Sequence, residues 1–110
     1  MAEIMPHIKL SEEQAVPYGL LPGDPKRLDR IASCLTDVEE LAYNREFRSL
    51  KGKYRGVPVM AVSTGIGGAS AAIAVEELAR IGVKAMIRIG SCGALQKGIR
   101  LGDLILVNGA

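Results

Sequence analysis

Aromatic side chains are scarce in this sequence of 110 residues, which contains no tryptophan, one phenylalanine and three tyrosines. Proteins that bind single-stranded nucleic acid use aromatic rings as platforms on which the bases stack. Charge of one sign is also lacking, because 14 Lys and Arg against 12 Asp and Glu leave a net charge of +2. A binding site for nucleic acid needs a basic surface. The composition therefore predicts no nucleic-acid partner.

Histidine and cysteine are equally sparse. The sequence has one histidine, His7, and two cysteines, Cys34 and Cys92, and no Cys-x-x-Cys pair. A histidine-based metal site or a Ser-His-Asp triad made by this chain alone is therefore not expected. The two cysteines are predicted to be free thiols.

Long hydrophobic runs are missing as well. Charged residues interrupt the apolar residues throughout, so no stretch approaches the length of a membrane span. The first 14 residues lack the charged-then-apolar layout of a signal peptide. These features predict a cytoplasmic protein with no membrane association. At this length the chain forms one domain at most.

The most informative stretch is Ala85–Ile89 with the Gly-Ser-Cys-Gly turn that follows it. The stretch has the composition of a buried strand, yet it contains Arg88, whose charge needs a partner. Ligands of open α/β sheets bind beyond the carboxyl ends of strands. Arg88 and Ser91 are therefore predicted to form an oxyanion site. The alternative is an arginine in solvent or paired with Glu76 or Glu77.

The rest of the pattern indicates alternating strands and helices after a polar arm over residues 1–16. A strand is predicted over 18–21 and a helix from Asp24 as N-cap, with an apolar stripe about three turns long. Three strands are then predicted over 38–43, 47–54 and 57–63, the last two joined by a hairpin. A helix with an apolar face follows and is predicted to end at Gly82 as its C-cap. Further strands are predicted over 85–89 and 104–107. The predicted apolar face of this helix consists of Ala71, Ala74, Val75, Leu78 and Ile81.

Two basic residues, Lys26 and Arg27, lie in the first turn of the first predicted helix. The helix macrodipole disfavours cations there, which favours an anion bound beside the helix start. Two solvated charges offset by Asp24 and Asp29 are the alternative.

A glycine run, Thr64-Gly65-Ile66-Gly67-Gly68, lies between a predicted strand and a helix. It does not match the dinucleotide fingerprint, because the third glycine position is Ser70 and no acid ends the next strand. It also lacks the Gly-Lys-Ser/Thr of a phosphate-binding P-loop. The sequence therefore predicts no organic cofactor.

Five motifs occur in one order that resembles the nucleoside phosphorylase family, which contains uridine phosphorylase and the hexameric bacterial purine nucleoside phosphorylases. The resemblance runs from about His7 to the last residue. The motifs are Leu-Pro-Gly-Asp-Pro-Lys-Arg (21–27), Asn-Arg-Glu-Phe (44–47), Ser-Thr-Gly-Ile-Gly-Gly (63–68), Ala-Val-Glu-Glu-Leu (74–78) and Arg-Ile-Gly-Ser-Cys-Gly-Ala (88–94).

The resemblance implies a phosphate site in which one residue comes from a neighbouring subunit. Gly23, Arg27, Arg88 and Ser91 of one subunit would contact phosphate, and Arg45 would reach in from the neighbour.

The resemblance also implies a ribose contact and a cation site. His7 of the neighbour would contact the ribose 5′-hydroxyl. Glu46, Ile66 and Ser70 match the positions that hold potassium at the dimer interface of uridine phosphorylase. These residue roles come from the resemblance and not from spacing.

The implied function is phosphorolysis of a nucleoside to free base and ribose 1-phosphate, with phosphate as co-substrate and uridine as the implied nucleoside. The implied fold is α/β, with a mixed, partly barrel-like sheet flanked by helices, and the implied assembly is a dimer-based homo-oligomer. Residues 1–110 resemble the N-terminal part of a single such domain, and the segments that bind the base lie beyond it in the family.

Two alternatives to uridine phosphorolysis remain open. The Ser-Thr-Gly-Ile-Gly-Gly and Arg-Glu-Phe motifs resemble uridine phosphorylases, whereas Gly-Ser-Cys-Gly-Ala resembles the purine enzymes. A purine nucleoside phosphorylase or a related nucleosidase is therefore one alternative. A truncated, inactive module that binds phosphate or forms oligomers is the other. We expect these 110 residues alone not to catalyse phosphorolysis.

Overall fold

The computed structural model describes residues 2–110. Within them it has five strands and two helices in the order β-α-β-β-β-α-β. The strands are β1 (Tyr18–Pro22), β2 (Thr36–Asn44), β3 (Phe47–Tyr54), β4 (Val57–Val62) and β5 (Ala85–Ile89), and the helices are α1 (Arg27–Ala32) and α2 (Gly68–Ile81). The predicted order of elements is confirmed up to residue 89.

The five strands form one mixed sheet in the order β2-β3-β4-β1-β5. β1 lies between β4 and β5 and pairs with both in parallel, whereas β2, β3 and β4 pair as antiparallel neighbours. β4 and β5 therefore run in the same direction, as the strand-helix-strand pattern predicts, but they are not neighbours. The mixed sheet flanked by helices confirms the predicted fold class, and over residues 2–110 it remains open.

The register brings three chain segments together at one edge of the sheet. Leu21 pairs with Arg88 at the carboxyl ends of β1 and β5. The backbone N–H of Gly65 donates to the carbonyl of Gly23 (2.9 Å), which extends the association of β1 with β4 beyond the last strand residue. The loops that follow β1, β4 and β5 consequently start side by side.

Each face of the sheet carries a separate core. The larger core contains Phe47, Met60 and Val62 of the sheet, packed against α2 and the N-terminal segment. The smaller core contains Leu50 and Ala61, packed against α1 on the opposite face. Alternation along β3 and β4 explains this division, because successive side chains of a strand point to opposite faces.

α2 is the principal helix, with 14 residues. It ends at Gly82, which has φ +109° and forms the predicted left-handed cap. Its buried face includes Ala74, Leu78 and Ile81, as predicted, but Val75 is 40% exposed and Glu77 is buried in its place. The face that packs on the sheet therefore contains a carboxylate.

The prediction that residues 1–16 form a polar arm is wrong from residue 5 onward; Met1 lies outside the described residues. Met5, Ile8 and Leu10 are all buried in the larger core. The segment folds back on itself, since the N–H of Met5 donates to the carbonyl of Leu10 (2.8 Å). Three apolar residues buried in the core fix the segment in place despite Pro6 and the charged residues.

The helix predicted after Asp24 is confirmed, but its N-cap is Lys26 and not Asp24, and it is shorter than three turns. α1 has six residues and ends at Ala32, so Leu35 lies beyond it. Asp24 accepts a hydrogen bond from the backbone N–H of Lys26 (2.9 Å), and the N–H of Arg27 donates to the carbonyl of Asp24 (3.0 Å). Bonds over three residues are those of a tight 3₁₀ turn, which precedes the α-helix here.

The predicted strand over residues 104–107 is wrong. This segment has no regular structure, and Leu104 and Leu106 are 99% and 95% exposed. A strand needs a neighbouring strand to pair its backbone groups, and residues 2–110 provide none at this position. Among residues 2–110, no helix is both long enough and apolar enough to cross a membrane.

Candidate functional site

A cavity of about 650 Å³ opens at the edge of the sheet where β1, β4 and β5 end. Its lining comes from four loops that are far apart in sequence. The lining residues are Gly23, Asp24, Pro25, Arg27, Glu46, Gly65, Ile66, Gly67, Arg88, Gly90 and Ser91. Four of the five predicted phosphate contacts, Gly23, Arg27, Arg88 and Ser91, thus lie around one cavity.

The guanidinium group of Arg88 lies between two glycines of the cavity wall. A Cβ added at Gly23 would lie 3.2 Å from Nη2 of Arg88, and one added at Gly90 would lie 2.5 Å from Nη1. The absence of side chains at these two positions therefore leaves the space that the guanidinium fills. Arg88 makes no ion pair within residues 2–110, and the alternative partner Glu77 is bonded elsewhere. Its charge is available to an anion.

Arg27 meets the turn after β5 from the opposite side. Its Nη2 donates to the Oγ of Ser91 (3.3 Å), although 64 residues separate the two in sequence. Arg27 and Ser91 are both exposed. Two cationic side chains and a hydroxyl therefore converge on one opening, which is the arrangement that binds a phosphate oxyanion.

Glu46 forms the acidic side of the cavity. The Oγ of Ser70 donates to its carboxylate (2.8 Å), and a Cβ added at Gly65 would lie 2.7 Å from the Cγ of Glu46. Gly65 has φ +71°, a conformation that favours glycine. The backbone N–H of Glu46 itself and then the Ser70 hydroxyl lower the pKa of the Glu46 carboxyl below its usual value. The carboxylate is thus kept ionised beside the two arginines.

Arg45 is the predicted phosphate contact that the structure does not place in this cavity. It lies in the turn between β2 and β3 with φ +53°, and its side chain is exposed. The neighbouring Glu46 lines the cavity, whereas Arg45 does not. No partner chain is present, so the expectation that Arg45 serves a neighbouring subunit stays a prediction.

His7, which lies in the segment predicted to be a polar arm, is held firmly within its own chain. Its Nδ1 lies 2.7 Å from Oε2 of Glu77, and its backbone N–H donates to Oε1 of the same carboxylate (3.0 Å). The carbonyl of His7 accepts a hydrogen bond from Nδ2 of Asn44 (2.7 Å). Asn44 in turn precedes Arg45 in the β2–β3 turn, so the N-terminal segment is attached to the site loops.

The sequence analysis did not predict the hydrogen bonds that Glu77 and Asn44 make with the N-terminal segment. A signal for Glu77 was present, because Ala74, Glu77, Leu78 and Ile81 follow the i, i+3, i+4, i+7 spacing of the apolar face. A carboxylate in such a stripe needs hydrogen-bond donors. The donors are backbone groups of residues 7 and 8, about 70 positions away, which no local pattern indicates.

A profile of the family described as "Phosphorylase superfamily" matches residues 17–110. Among curated proteins, the chain is 51% identical over 104 residues to a protein named uridine phosphorylase from Thermococcus kodakarensis, covering 94% of this chain and 38% of that protein. It is 46% identical over 105 residues to one named guanosine phosphorylase from Halorubrum lacusprofundi, covering 96% and 44%.

Among solved structures, the chain matches the crystal structure of uridine phosphorylase from Vibrio fischeri with a TM-score of 0.89 and 46% identity. The match covers 94% of this chain and 43% of that one. The chain therefore spans less than half the length of the relatives that it matches.

Proposed function

Because the chain belongs to the phosphorylase superfamily, we propose that it provides the phosphate-binding part of a nucleoside phosphorylase. The observation that carries this proposal is the convergence of Arg27, Arg88 and Ser91 on one cavity at the carboxyl ends of the parallel strands. We do not expect Ser91 or Cys92 to act as an activated nucleophile. Among residues 2–110 the side-chain hydrogen bond of Ser91 is to Arg27, which is not a base, and Cys92 is an exposed free thiol.

In the proposed reaction a phosphate oxygen attacks the anomeric carbon of the ribose. The glycosidic C–N bond breaks, its electron pair leaves with the base, and ribose 1-phosphate forms. Phosphate is the nucleophile, so the protein has to bind and orient it beneath the sugar rather than to activate a side chain. The arginines hold the phosphate beneath the sugar, and the negative charge of the phosphate stabilises the positive charge that develops on the ribose as the base leaves.

The two arginines have distinct places in this proposal. Arg88 is seated between Gly23 and Gly90 and would bind phosphate with two parallel N–H groups. Arg27 already donates to Ser91 and would place both its remaining N–H groups and the Ser91 hydroxyl against the anion. Water would be displaced from their charges only when phosphate and nucleoside cover the opening.

We also propose that the complete site is shared between subunits of a homo-oligomer. Arg45 is exposed and does not line the cavity of its own chain, although its neighbour Glu46 does. His7 has an imidazole that is 39% exposed and lies near the same turn through Asn44. A symmetric dimer would place both residues against the partner's cavity, where Arg45 would contact phosphate and His7 the ribose 5′-hydroxyl.

Glu46, Ile66 and Ser70 are proposed to hold a potassium ion at that interface. The fit is supported by the 2.8 Å contact that joins the Ser70 hydroxyl to the Glu46 carboxylate. The Ile66 side chain is a hydrocarbon and has no donor atom, so Ile66 would contribute its backbone carbonyl. Carboxylate, hydroxyl and carbonyl oxygens are ligands that suit a hard cation, which would supply positive charge next to the glycine loop.

Uridine is the proposed nucleoside, because relatives in both comparisons are named uridine phosphorylase at 46–51% identity. A purine nucleoside is the second candidate, supported by the relative named guanosine phosphorylase. The two candidates differ only in the base, and residues 2–110 place no amide or aromatic group in the cavity that would select one.

The test is a chimera in which this segment replaces the matching part of the Thermococcus kodakarensis uridine phosphorylase. We expect the chimera to release uracil and ribose 1-phosphate from uridine only when phosphate is present. The 110 residues alone should release no base from uridine or inosine. Base release without phosphate would indicate a nucleosidase, and turnover by the segment alone would contradict the proposal that it is one part of the site.

A further inference from the structure

One carboxylate fixes the only histidine of this chain. Oε1 of Glu77 accepts hydrogen bonds from the backbone N–H groups of His7 (3.0 Å) and Ile8 (2.9 Å), and Oε2 lies 2.7 Å from Nδ1 of His7. The Glu77 side chain is 9% exposed, whereas the imidazole is 39% exposed. The carboxylate that contacts Nδ1 is thus sheltered, whereas more than a third of the imidazole is open to a ligand.

The chemistry of the two groups decides where the proton lies. Burial raises the pKa of the Glu77 carboxyl, but the N–H of Ile8 and the His7 side chain and N–H outweigh it, so the pKa is lowered overall. An ionised carboxylate only accepts hydrogen bonds, so a ring nitrogen in contact with it has to carry a proton. In a neutral imidazole the other nitrogen is then an acceptor.

We propose that Glu77 holds neutral His7 in its Nδ1-protonated tautomer and thereby presents Nε2 to a ligand as a hydrogen-bond acceptor. Glu77 is a positioning residue in this account, because it acts through His7. Asn44 supports the same arrangement from the other side by donating to the carbonyl of His7 (2.7 Å). The backbone of residue 7 is held at both its N–H and its carbonyl, so the direction of Nε2 is fixed.

The consequence for specificity rests on the proposed function. An acceptor nitrogen pairs with the proton of a ribose 5′-hydroxyl, whereas it repels the anionic oxygens of a 5′-phosphate. Glu77 would therefore make His7 select nucleosides over nucleoside 5′-monophosphates, although Glu77 itself touches neither.

The direct test is the tautomer of His7, which is read from long-range ¹H–¹⁵N correlation spectra of histidine-labelled protein. One histidine in the chain gives one pair of ring signals. At a pH of about 9 an ordinary histidine, with a pKa of about 6.5, is neutral. We expect the proton on Nδ1 in the wild-type chain.

Glu77→Gln should move this proton. The glutamine oxygen can still accept from the backbone N–H groups, and its NH₂ group then faces Nδ1, which becomes the acceptor. Glu76→Gln is the matched control, because Glu76 is the exposed neighbour on the same helix. A wild-type His7 protonated on Nε2, or an unchanged tautomer in folded Glu77→Gln, would overturn the proposal. If Glu77→Gln does not fold, the wild-type spectrum still decides, since a carboxylate partner requires a proton on Nδ1.

The specificity step is tested separately in the chimera. For uridine, Glu77→Gln should lower kcat/KM by about 5- to 10-fold, as expected for one altered hydrogen bond, and for 5′-deoxyuridine by less than about 2-fold. Equal losses for both substrates, with the expected tautomers, would overturn the ribose contact in the proposed function while the tautomer assignment stands. Phosphate-dependent turnover that persists in that case would leave the phosphate site of the proposed function intact.

Discussion

Residues 5–83 and residues 85–110 use apolar side chains in opposite ways. In the first region Ile8, Leu50 and Met60 are completely buried, and two cores cover both faces of the sheet. In the second region Leu95, Leu101 and Leu104 are fully exposed, and four of the five residues of β5 are exposed as well. The two regions have similar hydrophobic composition but differ in whether other elements cover them.

The cavity lies on the boundary between these regions. Gly23, Arg27 and Glu46 come from the packed region, whereas Arg88 and Ser91 come from the exposed strand and its turn. One side of the proposed phosphate site consequently belongs to the packed cores. The other side is held by the pairing of β5 with β1, by Met86 against the larger core and by the hydrogen bond from Arg27 to Ser91. The position of Arg88 therefore depends on the contacts of the second region as well as on the packed cores. The chain spans less than half the length of its relatives.

The largest effect should separate two leucines. Leu50→Ala should lower the free energy of unfolding of the 110-residue chain by about 2–5 kcal/mol, because Leu50 is 0% exposed in the smaller core. Leu104→Ala should change it by less than about 0.5 kcal/mol, because Leu104 is 99% exposed. Urea unfolding measures both.

Leu104→Ala also tests whether the remaining sequence of the relatives covers the second region. In the chimera, Leu104→Ala should become destabilising if the added part covers residue 104. Equal effects of Leu104→Ala in the segment and in the chimera would break the contrast between the regions.

A smaller effect should separate two neighbouring glutamates. Glu77→Ala removes the acceptor of two backbone N–H groups, one of them on the fully buried Ile8, and should cost about 1–3 kcal/mol of unfolding free energy. Glu76→Ala changes an exposed residue and should stay within about 0.5 kcal/mol. Similar losses in both variants would mean that the N-terminal segment is not anchored through Glu77.

The smallest effect concerns pH. The pKa of Glu77 is lowered on folding, so its stabilising contribution is present above the ordinary glutamate pKa of about 4.3 and is lost as the pH falls through the folded value. The difference in unfolding free energy between wild type and Glu77→Gln should therefore narrow as the pH falls below about 4. A difference that stays constant down to about pH 3 would exclude Glu77 as the ionised anchor.

The sequence predicted features that have a local cause and did not predict features that depend on contacts between distant residues. β3 and the cap at Gly82 were predicted because alternation and a glycine stop are local signals. The placement of Arg88 and Ser91 together at the end of β5 was predicted because a charge at a strand end and a glycine turn are local signals as well. The burial of Ile8 and the role of Glu77 depend on a contact across about 70 residues, which no single pattern contains. The strand predicted over residues 104–107 failed because strand formation needs a partner, whatever the local composition.

We propose that Arg88 binds phosphate at the boundary between the two regions. The phosphate dependence of the chimera's steady-state kinetics measures this contact. Arg88→Ala should raise the KM for phosphate or lower the phosphate-dependent kcat/KM by about 30- to 1,000-fold, the equivalent of about 2–4 kcal/mol for a lost charge-assisted contact, with little change in the KM for uridine. Arg80→Ala, which removes an exposed arginine from α2, should leave both parameters unchanged. Unchanged phosphate kinetics in Arg88→Ala would contradict the account and remove Arg88 from the site.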